Sequence, residues 1–124
     1  MVRQDQITLL MDNIHQRFSE NKEDYMEELF QLTKQSLSII STATLKDDEI
    51  EMWINAGIAD LIRCGIDAKK NIENALIKST IVMFVKANFG NTDIKDKELA
   101  QKTYSLLCNN LSLSSEFKVV NNDS

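Results

Sequence analysis

IKSTIVMFVKANFGN, residues 77–91, is the stretch on which the reading of this chain turns. Apolar residues run without a break from Ile81 to Val85, more than one side of a helix can hold. Lys78 and Lys86 flank the run, and Gly90 closes it as at a helix terminus. At about 100° per residue the stretch has two apolar faces. Ile72, Leu76, Ile77, Ile81, Met83, Phe84 and Ala87 cluster on the broader face, which is expected to pack into the domain. Ala75, Val82, Val85 and Phe89 lie roughly opposite, interleaved with the two lysines.

Two coverings of that second face are open. Either this helix is central and other helices wrap it, with the lysines snorkelling at the edges, or another subunit covers it. The second option makes Lys78, Val82, Val85, Lys86 and Phe89 the candidate subunit interface.

The rest of the chain reads as helix. It has no proline and only Gly57, Gly65 and Gly90, so the strongest breakers are scarce. No internal repeat, low-complexity linker or period-two strand pattern occurs. Ile7, Leu10, Met11, Ile14 and Phe18 form one stripe of a first helix over 4–19. Asn21 is a candidate cap for a second, carrying Met26, Leu29, Phe30, Leu37 and Ile40; one continuous helix over 4–40 is the alternative. Thr44 and the acids Asp47, Asp48 and Glu49 suit the start of a third helix. Gly57 lies on its apolar stripe, where it lets a neighbour approach, and Gly65 is placed to end it in the left-handed conformation. The fourth helix is expected over 72–89 with Asn71 as cap, and the fifth over 96–111 with Asp93 or Asp96 as cap. On the fifth, Ala100, Tyr104, Leu107 and Leu111 make one row, and Leu99, Thr103 and Leu106 the next.

The fold expected is all-α, a small bundle of about five helices with an extra N-terminal helix and a polar C-terminal tail. Three regions follow: an amphipathic extension over 1–24, a helical domain over 25–113, and a tail over 114–124. Phe117, Val119 and Val120 interrupt the polar tail, which reads as flexible or as an arm that orders on a partner.

At 124 residues and 43% apolar content the chain can build one core without metal or disulfide. Neither a signal peptide nor a membrane span is expected. Cys64 and Cys108 lack CxxC spacing and read as buried or partly buried free thiols in a reducing compartment. The net charge of −5 argues against wrapping nucleic acid, though not against a wall past which DNA slides.

Catalytic constellations are missing. The single histidine, His15, reads as structural, no GxSxG or GxxxxGK[ST] motif is present, and most of the paired acids sit at helix starts. Lys69 and Lys70 read as a solvated loop. No catalytic residue, metal or cofactor is expected.

From Met26 to Phe117 the chain resembles the tailed-phage head-tail connector family, the small adaptors that attach beneath the portal. ELFQLTKQSLSI (28–39) is similar to the family's opening helix, and LKDDEIEMWINAGIADLIRCGID (45–67) to its acidic-start helix ending in glycine. The most specific block is LIKSTIVMFVKANFGN (76–91) followed by YSLLCNNLSLSSEF (104–117). Residues preceding the first block depart from the family pattern, which often begins near that helix.

The resemblance implies a non-enzymatic virion protein of the head-tail junction, without cofactor, made in the bacterial cytoplasm. It implies a ring homo-oligomer on the portal after DNA packaging, lengthening the DNA channel and docking head-completion or tail proteins. Packaged DNA would pass nearby without sequence-specific binding. The alternative class is a small helical regulatory or nucleic-acid-binding module, against which stands the lack of a basic recognition helix: the fifth helix, over 96–111, carries only Lys97 and Lys102.

Overall fold

The computed structural model describes residues 24–90 and 92–119. They form four α-helices: α1 over 24–36, α2 over Asp47–Arg63, α3 over Ala75–Asn88 and α4 over Ile94–Leu113, followed by a 3-10 turn at Ser115–Phe117. The fold is the small all-α bundle expected. The helix anticipated over 4–19, with His15, lies outside the described residues.

Each boundary has a local cause. α1 stops at 36, short of Ile40, because Ser38 turns left-handed at φ 60°. The Ser38 N–H then donates to the Gln35 carbonyl and the Ile39 N–H to that of Lys34, a Schellman closure on a residue other than glycine. α2 begins at Asp47 without a side-chain cap, so the expected role of Thr44 falls to its carbonyl, which accepts from the Asp47 N–H. α2 ends with the same closure as α1, now on Gly65 at φ 88°, as its position predicts. There Gly65 donates to Ile62 and Ile66 to Leu61; the apolar pair Leu61 and Ile66 is fully buried behind the turn.

α3 starts later than the periodicity suggests. Asn74 is its cap, accepting from the N–H groups of Leu76 and Ile77, whereas Asn71 donates its amide to the Asp67 carbonyl. Ile72 is buried, but from the connecting turns rather than the helix. Asp93 caps α4 by accepting from the Ile94 N–H at 2.8 Å. Gly90 does not end α3 in a left-handed turn; the terminal residue there is Phe89, in extended conformation.

α3 is the central element, packed against both α2 and α4. Ile50, Ile54, Ile58 and Leu61 of α2 meet Ile77, Ile81 and Val85 of α3, and Tyr104 and Leu111 of α4 close the same core. Gly57 permits a close approach: a Cβ there would lie 3.0 Å from Phe84 Cδ1 and 3.5 Å from Ile81 Cγ2. The Phe84 ring in turn makes edge contacts with Trp53 and Tyr104, at centroid distances of 6.3 and 5.3 Å.

The second face of α3 is covered from within. α1 lies along it, with Leu29 and Thr33 fully buried. Lys34 is 2% exposed and bridges onward, its ammonium 2.8 Å from Asp47 Oδ1 and 3.2 Å from the Ser41 carbonyl, which accepts its hydrogen bond. The same ammonium stands 5.2 Å above the Phe30 ring. The ion pair therefore pins the α1–α2 connection to the start of α2.

The C-terminal segment, expected as a flexible or partner-ordered tail, returns to its own chain as far as the structure describes it. The Asp67 N–H donates to the Phe117 carbonyl at 2.7 Å and the Val119 N–H to that of Gly65 at 2.9 Å, while Ile66 and Lys118 pair antiparallel. Phe117 is buried beneath this clasp.

Candidate assembly surface

The residues marked out by sequence as a subunit interface do not lie on an open surface. Val82, Val85 and Phe89 are buried at 7%, 0% and 2% exposure inside the single chain. Lys78 is nearly as enclosed. Its ammonium pairs with Glu28 of α1 at 3.1 Å and lies 5.8 Å from the Tyr25 ring centroid. Lys86 is half-buried, near the 36–39 turn that follows α1. The premise that α3 carries more apolar surface than its own chain can hide is thus corrected: α1 and its terminal turn cover it. Periodicity within α3 could not reveal this, because the covering helix is distant in sequence.

The tail residues divide. Phe117 is packed into the core, Val119 is 41% exposed, and Val120 lies outside the described residues.

Among the described residues, apolar surface does remain open elsewhere. Leu99, Leu106 and Leu113 of α4 are 65%, 66% and 84% exposed. They recur every seven residues, so they form one stripe along the outer side of α4, opposite the buried Ala100, Tyr104 and Leu111. The 99/106/113 spacing was the available signal. It does not by itself mark an open surface, because a second apolar row on an amphipathic helix ordinarily faces the core.

A second open face runs along α2. Asp48, Met52, Asn55, Ala59 and Ile62 follow alternating four- and three-residue steps, and all are exposed. Its later half borders a groove of about 910 Å3 between α2, Met26 and the 67–72 connection. Ile58, Ala59, Ile62 and Ile72 supply apolar walls, and Lys69 and Lys70 stand at the rim.

One polar cluster joins α2 to α4. The Tyr104 hydroxyl donates to Asp60 Oδ2, and Arg63 donates to Asp60 Oδ1 from Nε at 3.1 Å and Nη2 at 2.8 Å. Burial by itself pushes the Asp60 carboxyl up, but the hydrogen bonds from Tyr104 and Arg63, with the guanidinium charge, hold it below its ordinary value. Burial, reinforced by the bond to Asp60, pushes the Tyr104 phenol far above its ordinary range. Cys108, half-buried beside it, is also pushed up, chiefly by burial. Cys64 is exposed, contrary to the expectation of burial, because it follows the last turn of α2; both thiols are free.

A phenol kept protonated, a carboxylate already engaged and a thiol held up make a structural clasp rather than a proton-transfer site. Among the described residues no group of three or more His, Cys, Asp or Glu is arranged to hold a metal ion. No described helix is long and apolar enough to cross a membrane.

Fold and surface together define a compact helical module whose open features are apolar stripes suited to contacts between proteins. The model of the phage connector protein family matches residues 29–118, from within α1 into the C-terminal clasp, and the chain belongs to that family. No curated protein and no solved structure was found to match it.

Proposed function

We propose that this protein is the subunit of a head-tail connector ring that assembles on the portal after DNA packaging. The ring lengthens the DNA channel and offers a surface to head-completion or tail proteins. The observation that carries the reading is the family match, which covers most of α1 and all of α2, α3 and α4. The open leucine stripe on α4 supports it, since a row so exposed on a lone copy is ready for burial in an assembly. The acidic balance fits a channel wall that DNA passes without adhering.

The test is retention of the purified protein by portal assemblies isolated from the same phage, and its presence at the head-tail junction of mature particles. Packaged heads made without it should leak DNA and fail to join tails. Nanomolar, sequence-specific duplex binding at moderate salt, with no retention by portals, would overturn the proposal in favour of a nucleic-acid-binding module.

A further inference from the structure

The two open stripes belong to different helices, and their spacing and charge match. The geometry points to a heterologous contact between copies of this chain, in which the α4 leucine stripe of one copy lies along the outer face of α2 in the next. This inference rests on the connector reading and names the surfaces a ring of these subunits would use.

Three observations carry it. Leu99 to Leu113 and Asp48 to Ile62 each cover fifteen residues, about 21 Å of helix from first to last, and both follow heptad spacing. Shape is the second. The leucines project from a convex helix, whereas the later half of α2 borders the apolar groove, with small Ala59 midway, so Leu106 and Leu113 of one copy have a recess to enter on the other.

Charge is the third, and it sets direction. Asp48 and Glu51 lie at the start of the α2 face, and Lys95 and Lys102 flank the first half of the α4 stripe. With the two helices parallel, acids meet lysines at one end while leucines fill the groove at the other. A two-fold pairing of either stripe with itself would leave the other uncovered. The heterologous contact uses both on every copy, and such a contact closes into a ring when its rotation permits. Like-charge registers are disfavoured by the same acids and lysines, which gives the contact its specificity.

The experiment uses two single variants of the full chain, Ala59→Arg to block the α2 face and Leu106→Asp to block the α4 stripe. Both positions are exposed, so each variant should keep the wild-type circular dichroism spectrum. In sedimentation at rising concentration, wild type should grow beyond a dimer. Each variant alone should stay monomeric, and their equimolar mixture should form a one-to-one dimer and stop there, because one working face of each kind remains. Glu51→Lys should weaken association several-fold, and adding Lys102→Glu should restore it.

Wild type that remains monomeric up to about 1 mM, a single variant that still self-associates, or a mixture without dimer would each overturn the contact. None of these readouts involves the portal, so their failure leaves the connector reading to its own test.

Discussion

The hydroxyl of Tyr104 in α4 donates to the carboxylate of Asp60 in the last turn of α2, joining two helices that are separated in sequence by all of α3. Tyr104 is 6% exposed, so its hydroxyl has little water to fall back on. Tyr104→Phe should therefore cost about 1.5–3 kcal/mol, the usual range for a hydrogen bond to a charged group. Urea unfolding would show this as a lower midpoint at unchanged slope. An unchanged midpoint would mean the bond is replaced by solvent without loss.

The same pair gives stability two pH edges. The Asp60 carboxyl is held below its ordinary value in the folded chain, so its contribution is present above its unfolded value, about 4, and is lost as pH falls through the folded value. The Tyr104 phenol is held above its ordinary value, so its contribution is whole below about 10 and is lost as pH rises beyond. Urea midpoints of wild type should accordingly fall at both extremes. Tyr104→Phe should make the alkaline edge shallower, leaving the part that the half-buried Cys108 thiol contributes, and should flatten the acid edge in part, since Arg63 still holds Asp60. An alkaline edge as steep in the variant as in wild type would contradict this assignment.

Gly57 is required by space rather than by backbone angle. Alanine would gain about 1 kcal/mol of helix propensity. However, its methyl would press the Phe84 ring at 3.0 Å, and that ring is held by Trp53 and Tyr104 on its edges. Overpacking of this kind costs about 1–3 kcal/mol. Gly57→Ala should thus be destabilised by about 1 kcal/mol, and Gly57→Val by clearly more. Thermal melts that place Gly57→Ala above wild type would show that the ring gives way freely.

Lys34 and Asp47 should respond asymmetrically. Asp47→Ala leaves the 2%-exposed ammonium with only the Ser41 carbonyl and the Phe30 ring, and should cost about 3 kcal/mol. Lys34→Met removes the buried charge itself and keeps the packing of the stem, so it should cost much less. Chemical denaturation of the two variants decides the matter, and a costlier Lys34→Met would refute the argument.

Val85 separates the buried face of α3 from an interface. Val85→Asp puts an unpaired carboxylate where exposure is 0%, and should cost on the order of 4 kcal/mol or prevent folding. Val85→Ala, a milder control, should lower the urea midpoint without any change in the state of association. A folded Val85→Asp monomer that only fails to assemble would return this face to the subunit interface.

Local chemistry was legible in the sequence wherever one residue type answers one backbone demand. Gly65 announced the left-handed end of α2 and Gly57 the close crossing, while for the start of α4 the sequence offered Asp93 and Asp96 and the structure uses Asp93. The end of α1 was not legible, because a serine took the left-handed position normally marked by glycine. Asn71 and Asn74 were equally eligible as caps by type, and only the path of the connection chose between them.

The chain by itself determined that the protein is helical, where its strongest turns fall, and to which family it belongs, because periodicity, capping and residue order are local properties. Tertiary structure alone decided which apolar rows are spent on the core. The second face of α3 and the outer row of α4 both look like packing surfaces in one dimension. The first is sealed by α1, arriving from about fifty residues away, while nothing among the described residues reaches the second. Burial depends on what else comes near, and no stretch of sequence carries that about itself.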